Sequence, residues 1–314
     1  MDYTIAVASD AAVRQCPACG VGAPAASFLP RCAACANCGS SFVVGSNTAA
    51  YPVTYFQEMG TPNLLARLAA PAVRFLLVTL PMRRIRRILV GRQAPCVLDY
   101  GCGRGRLVGA LRGAGIDAVG FEPSPAAIGL AAASGIPVSG TVPETPRGYD
   151  LIMFWHSLEH ADAPADALSA ATRYLAPDGV LLVAVPNVTS WEARIFRGRW
   201  FHYDYPYHRI HFAPQGLSLL LRRNGFHIRS IEFWSPEYAF VGLCQSFLNF
   251  FLPMNVLYGV ASHRRVALSP HRARFLAALS LSLLVIAAPA LLAVFVAAAI
   301  MRRSGAMIAI AARI

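Results

Sequence analysis

Lysine is missing from this 314-residue chain; all 28 of its cationic side chains are arginine. Acidic residues are also scarce, 16 in all, so charged residues make up 14% of the chain against 56% hydrophobic ones, and the net charge is +12. So little charge beside so much apolar content excludes a disordered chain and fits an ordinary soluble globule poorly, which points to membrane contact. A basic excess can mark a nucleic-acid binder, but here the charge is not spread along the chain. Eleven arginines fall at 83–92, 264–274 and 302–303, segments without Asp or Glu, and the rest of the chain is close to neutral. Each basic cluster borders an apolar stretch. That fits anionic lipid headgroups better than a groove tracking phosphates, so a membrane lipid surface is the expected partner and nucleic acid is not. The first fifteen residues lack an apolar core behind a basic start, so export is not expected and a cytoplasmic chain is.

Five of the eight cysteines lie within 23 positions, as Cys16-x-x-Cys19-Gly20 and Cys32-x-x-Cys35-x-x-Cys38-Gly39. In a cytoplasmic chain this spacing indicates a metal before disulfides. Four thiolates suffice for a structural Zn2+, and a knuckle turn benefits from a glycine of positive φ after its second thiolate. Cys16, Cys19, Cys35 and Cys38 are therefore the expected ligands of an N-terminal zinc ribbon, with Cys32 spare. The expected organisation is a tail and zinc module over 1–50, amphipathic linker helices over 51–93, a catalytic domain over 94–236 completed by 304–314, and a hydrophobic membrane-associated insertion over 237–303. In the linker, Ile85, Ile88 and Leu89 recur at helical spacing opposite Arg83, Arg84, Arg86 and Arg87. Such a helix lies on a bilayer or packs on its own domain, and the pattern leaves both open.

Between Cys96 and Trp234, strand-length apolar runs alternate with helix-length segments. The strands are predicted at Cys96–Tyr100, Asp117–Glu122, Asp150–Trp155, Val180–Val185 and Phe226–Trp234. The helices are predicted at Arg104–Gly113, Pro125–Ser134, Ala163–Tyr174 and Pro214–Asn224. This is the rhythm of an α/β doubly wound sheet. Leu276–Ile300 then runs 25 residues without a formal charge, long enough to span a bilayer core as a helix. Tyr238–Ala261 is a weaker candidate. Two crossings would export the arginines between them, against the positive-inside tendency.

The stretch Val97-Leu-Asp99-Tyr-Gly101-Cys-Gly103-Arg-Gly105 delivers an acidic residue into a glycine turn that opens a helix. Glycines let a ligand approach the backbone, and the helix start offers free N–H donors. Glu122 ends the next strand, where a carboxylate can accept ribose hydroxyls. A dinucleotide oxidoreductase shares these features, but Asp99 would repel a pyrophosphate and suits a cationic amine. Adenosine with a zwitterionic amino-acid tail describes S-adenosylmethionine. On these grounds Val97–Gly105, Val119–Pro123 and Tyr149–His160 resemble the motifs of class I S-adenosylmethionine-dependent methyltransferases, over about Pro95–Ser235. The resemblance implies a Rossmann-like seven-stranded sheet whose last strand is antiparallel and inserted between two others. It also implies Asp99, Gly101 and Gly103 near the methionine tail, Glu122 and Pro123 at the ribose, and Val142 beside adenine, although 139–147 lacks the family's usual acidic dipeptide. Ala306–Ile314 would supply the antiparallel strand, so Glu237–Arg303 becomes an insertion, expected to dip into one leaflet and bend back at Pro289.

His156, Glu159 and His160 follow the fourth strand at i, i+3 and i+4. They could hold a metal, supply a base, or fix the loop over the cofactor, where His156 would lie. Arg199–Phe212, rich in aromatics and holding three histidines, falls where substrate would enter and reads as an acceptor-binding cap. A histidine of pKa near working pH could take the acceptor's proton, His208 as first choice and His211 as second, with His156 a third candidate. The expected protein is a methyltransferase at the cytoplasmic face of the inner membrane, acting on a small-molecule or lipid-linked acceptor such as a glycan precursor of the envelope. A quinone-precursor O-methyltransferase, a zinc-ribbon RNA methyltransferase and a non-catalytic membrane scaffold are the alternatives.

Overall fold

The computed structural model describes residues 15–21, 24–44, 67, 70–72, 74–261 and 268–314. The predicted N-terminal tail, most of the first linker segment, and Arg264 and Arg265 lie outside the described residues. Three short strands come first, β1 (Pro24–Ala26), β2 (Cys32–Cys35) and β3 (Ser41–Val43). Helix α1 (Leu80–Ile88) leads into β4 (Cys96–Tyr100), α2 (Arg106–Gly113), β5 (Asp117–Phe121), α3 (Pro125–Ala133) and β6 (Val138–Ser139). There follow β7 (Tyr149–Trp155), α4 (Pro164–Tyr174), β8 (Leu175–Pro186), α5 (Trp191–Phe196), β9 (Ile210–His211), α6 (Pro214–Arg223) and β10 (Phe226–Glu232). The chain ends with α7 (Val241–Phe251), α8 (Val256–Ala261), α9 (Pro270–Ile300) and β11 (Ala306–Arg313).

The seven-stranded sheet has the order β10-β11-β8-β7-β4-β5-β6. Strand β11 pairs antiparallel with both β8 and β10, while β4, β5, β6, β7 and β8 run parallel. The Rossmann-like fold with an inserted antiparallel last strand is thus the architecture of the chain. Val97, Leu98, Leu151, Ile152, Leu181 and Leu182 are fully buried, the near-continuous apolar pattern of strands covered on both faces. Because parallel strands all point one way, Asp99, Glu122 and His156 leave the same edge of the sheet.

Helix α1 settles the choice left open by its sequence. Met82, Ile85 and Leu89 are buried in the cluster formed with Val97, Leu107 and Leu151, so its apolar face packs on the domain and is closed to a bilayer. Arg84 is drawn inward, pairing with Glu237 at 2.8 Å and Glu232 at 3.2 Å and donating to the Trp234 carbonyl.

The predicted bend at Pro289 is corrected: α9 runs unbroken from Pro270 to Ile300. Ala273, Ala277, Ser280, Leu291, Phe295 and Ala298 form a buried stripe along its length, and packing on both sides of the proline holds the helix through one missing hydrogen bond. The opposite face is apolar and open, with Val285 75% and Ile286 80% exposed. Among the described residues α9 is the one helix long and apolar enough to cross a membrane. Tyr238–Ala261 is broken at 252–255, where Asn249 bonds Asn255 and Gln245 bonds both Asn249 and the Tyr258 N–H. Leu243 meets Leu291 and Phe295, and Val260 meets Ala273 and Ala277, so α7 and α8 run back alongside α9 as a hairpin.

Glu237 is 1% exposed, so losing its cation leaves a buried carboxylate unpaired. Arg84→Ala is expected to cost about 3 kcal/mol, read as a lowered urea midpoint. The Arg84→Met, Glu237→Gln double variant is expected to recover most of that loss; a double variant no better than the single one refutes the assignment.

Candidate functional site

Strand β4 carries Asp99 to the sheet edge, and the chain turns sharply at Gly101, whose φ is +80°. A Cβ there would stand 2.6 Å from the Ser157 Cβ, so only glycine lets Ser157 close on the turn and donate its hydroxyl to the Tyr100 carbonyl. The N–H groups of Gly101 and Cys102 both donate to the Phe121 carbonyl, which ties the turn to β5. Glu122 sits one residue beyond β5: its Oε2 accepts the Gly103 N–H at 2.8 Å and its Oε1 the Ser124 N–H at 2.9 Å. Burial raises its pKa, and these two donors pull it back.

Asp99 is 3% exposed, and its Oδ1 has no hydrogen-bond partner. Burial, reinforced by the Glu122 charge, pushes its carboxyl up to about 8. A buried carboxyl with an orphan oxygen, beside a carboxylate that already orders the glycine turn, fits a ligand that brings a cation and hydroxyl groups. Pro123 lies exposed beside Glu122, and Val142 is half-buried against the core.

His156 follows β7 directly and has φ +53°, a left-handed conformation rare for a residue with a side chain. Its ring stacks on Tyr238 at 3.5 Å between centroids, its Nδ1 lies 3.4 Å from Glu159 Oε1, and its buried Nε2 has no partner. Burial drives the imidazole down to about 3, so the contact with Glu159 is not an ion pair. The predicted single helical face is replaced by a short 3-10 turn, Leu158–His160, which nonetheless keeps the three side chains together. The loop is fixed by His160 Nδ1, 3.1 Å from the Tyr207 carbonyl, and by the Glu159 backbone carbonyl, which accepts the Arg209 N–H. The Glu159 carboxyl takes no part in that; it is fully buried, neither oxygen has a hydrogen-bond partner, and burial pushes it up to about 7.

The 199–212 segment folds over this carboxyl. His208 Nδ1 lies 2.8 Å from the His202 carbonyl and therefore donates, leaving Nε2 as the acceptor end. His211 Nε2 lies 3.0 Å from the Tyr203 carbonyl, and its buried Nδ1 is unpartnered. Burial holds both rings below the usual histidine range, His208 well below it and His211 at about 4. This direction runs against the expectation of a histidine poised near neutral pH. Burial moves the Glu159 carboxyl the other way, up to about 7. Ligand atoms of Glu159, His160 and His208 lie within 4.8 Å of one another, so the cluster can also hold a divalent cation. Sequence spacing brought out the histidines and missed Tyr238, which comes from the insertion, and the central place of Glu159, whose signal was its position between two histidines.

At the other end, Cys16, Cys19, Cys35 and Cys38 converge, all buried. Sγ atoms stand 3.7 Å apart for Cys16 and Cys38 and 3.6 Å for Cys19 and Cys35. Tetrahedral zinc with Zn–S bonds of about 2.3 Å separates its sulfurs by about 3.8 Å. Gly20 and Gly39 have φ +67° and +72°, as knuckle turns require. Cys32 is not part of this group; it packs instead beside Leu29 and Trp200.

A methyltransferase domain family model matches residues 71–231. The chain is similar to the ubiquinone biosynthesis O-methyltransferase of Methylococcus capsulatus, 33% identical over 110 residues, covering 32% of this chain and 45% of that enzyme. The Burkholderia multivorans enzyme of the same name is 31% identical over 161 residues, covering 46% of this chain and 68% of that enzyme. Matched lengths thus range from under half to about two thirds of these relatives. A solved SAM-dependent methyltransferase from Archaeoglobus fulgidus overlays with a TM-score of 0.43 at 21% identity, over 74% of this chain and 93% of that one.

A cation binds the Asp99 carboxylate and not its acid, so with a free pKa of about 8 the affinity should fall as pH drops below that value, by up to about tenfold per unit. Calorimetry with S-adenosylhomocysteine at pH 7, in two buffers of different ionisation enthalpy, is expected to show close to one proton released on binding. Asp99→Asn should abolish that release and weaken binding; an unchanged proton count in the variant refutes the role.

Proposed function

This chain belongs to the methyltransferase domain family, whose members use S-adenosylmethionine, and from that premise we propose that the whole protein transfers a methyl group to a membrane-borne acceptor. The observation that carries the reading is the orphaned, buried Asp99 beside the Glu122-ordered glycine turn. The bound cofactor supplies an electrophilic methyl group on a sulfonium, a neutral thioether leaving as the acceptor's new bond forms. Asp99 would neutralise the amine of the methionine tail, and Glu122, which holds the Gly103 N–H, would accept ribose hydroxyls with its remaining lone pairs. His156 closes the site beside Ser157. The proton released by a hydroxyl acceptor passes to the Glu159 carboxylate, with His208 Nε2 directed at the same cluster. Methyl transfer needs in-line approach more than it needs a strong base, so most of the rate rests on positioning by the 199–212 cap.

The acceptor side is continuous with the apolar hairpin. The Phe201 N–H donates to Ser246 of α7, Arg199 donates to the Asn249 carbonyl, and His202 Nε2 lies 3.2 Å from the Tyr238 carbonyl. An acceptor presented from a bilayer would reach the histidine cluster along α7. The exposed face of α9 is the bilayer contact in this reading, and the insertion enters one leaflet from the cytoplasmic side. A lipid-linked sugar or glycan precursor of the envelope is one acceptor of this kind. The names of the relatives support a quinone precursor as the second. The four-cysteine cluster holds a structural Zn2+, supported by its sulfur spacings.

Detergent-solubilised protein should bind S-adenosylmethionine and S-adenosylhomocysteine and ignore NAD. With methyl-labelled cofactor and bacterial membranes, label is expected in the organic extract. Release of that label to water by mild acid marks a lipid-linked sugar, and co-migration with quinones marks the other class. Label confined to RNA, or NAD binding alone, overturns the reading. Glu159→Gln is expected to lower turnover at least about a hundredfold while S-adenosylhomocysteine affinity stays within about twofold.

A further inference from the structure

The cysteine module is not a separate bead on the chain. Its third strand, β3, pairs antiparallel with β9, Phe42 opposite Ile210 and Ser41 opposite His211. Strand β9 has no other neighbour in that four-stranded sheet. The Val43 N–H donates to the Arg209 carbonyl at 2.9 Å, and the fully buried Ser40 accepts the Ala213 N–H at 3.0 Å. Tyr203 donates its hydroxyl to the Pro30 carbonyl, and Arg223 donates to the carbonyl of Cys19 itself. The ribbon therefore grips both ends of the segment bearing His208 and His211. It does so through residues adjacent to the thiolates: the Cys35 N–H donates to the Ser40 carbonyl, and Ser40 in turn holds Ala213.

A module this small buries too little apolar surface to fold without a staple, and a four-thiolate metal site supplies folding free energy directly. Two residues at a sheet edge, as in β9, cannot hold a strand conformation alone. The cofactor turn is built otherwise, from β4, β5 and Ser157, with no hydrogen bond to the ribbon among the described residues.

We propose that the four-cysteine metal site is a positioning device for the acceptor side of the catalytic centre, its occupancy setting the order of the 199–213 segment while leaving the cofactor turn intact. The inference rests on the zinc reading above and goes beyond it, since it assigns the metal a function 173 residues away along the chain, from Ser40 to Ala213. Ser40 and Phe42 act here as positioning residues that touch neither cofactor nor acceptor.

The test uses the full-length protein in detergent. Metal content is measured by mass spectrometry, the protein is stripped with 1,10-phenanthroline, and hydrogen exchange is followed by peptide. Stripping is expected to speed exchange over 199–213 by at least about tenfold, with S-adenosylhomocysteine affinity within about twofold, and added Zn2+ is expected to restore protection. Absence of metal, with no response to added Zn2+, overturns the zinc reading and the proposal with it. Removable zinc whose loss exposes 16–43 but not 199–213, or whose loss abolishes S-adenosylhomocysteine binding, overturns the proposal alone. A second variant leaves every thiolate in place. A Cβ at Gly216 would stand 2.1 Å from Ser40 Oγ and 3.1 Å from Cys38 Sγ, so Gly216→Ala wedges the ribbon from α6. Exchange over 199–213 is expected to rise at least about tenfold with zinc content unchanged; an unaffected segment overturns the coupling.

Discussion

The double pairing of β11 governs the arrangement of the whole chain. Met307, Ile308, Ala309 and Ala311 are fully buried between β8 and β10, and the strand exchanges backbone hydrogen bonds along both edges. Because Ala306 must reach the sheet immediately after α9, the apolar insertion begins and ends on one side of the domain. A helix 31 residues long, about 46 Å at 1.5 Å per residue, can then leave the domain only if α7 and α8 travel its length in the opposite direction. The hairpin is a consequence of sheet closure. The same closure places Tyr238, at the root of the hairpin, over His156.

Burial without full hydrogen bonding sets the chemistry of the centre. Asp99 Oδ1, His156 Nε2, both Glu159 oxygens and His211 Nδ1 are all buried and unpartnered. Orphans of this kind cost free energy that the fold must absorb, and they persist where a ligand is to be received. Their effect on proton affinity has a consistent sign. Burial disfavours charge, lifting the two carboxyls toward neutrality and pressing the imidazoles below it. A sequence search for proton acceptors favours histidine for its solution pKa. Desolvation moves the two kinds of group in opposite directions, so solution pKa alone is a poor guide inside this centre.

Most of the sheet was legible because β4, β5, β7 and β8 each contain an apolar run, and the first three lead to Asp99, Glu122 and His156; Cys96–Tyr100 matches to the residue, whereas the two-residue β6 was too short to read. The grouping of Cys16, Cys19, Cys35 and Cys38 was legible because cysteine pairs of this local spacing tend to converge. The course of the insertion was not, since Pro289 reads as a breaker locally and only the stripe from Ala273 to Ala298 shows that packing overrides it. Helix α1 was ambiguous for a related reason: an amphipathic pattern states that one face is covered, and the covering partners, Val97 and Leu151, lie in later strands. Nor could spacing reveal that β3 would pair with β9, because strands of three and two residues leave no periodicity to detect.

These long-range pairings give the molecule an order of construction. The cofactor turn is assembled from β4, β5 and the Ser157 turn, which bonds the Tyr100 carbonyl 57 residues before it, within the parallel part of the sheet. The side proposed to receive the acceptor draws on three remote contributions: the ribbon from the N-terminal end, the histidine segment, and the hairpin that follows β10. Loop closure over such separations carries an entropic cost, which the pairing of β3 with β9 and the hydrogen bonds to α7 and Tyr238 offset. Under the proposed function, a metal held by Cys16, Cys19, Cys35 and Cys38 would brace one flank and a bilayer against the open face of α9 the other.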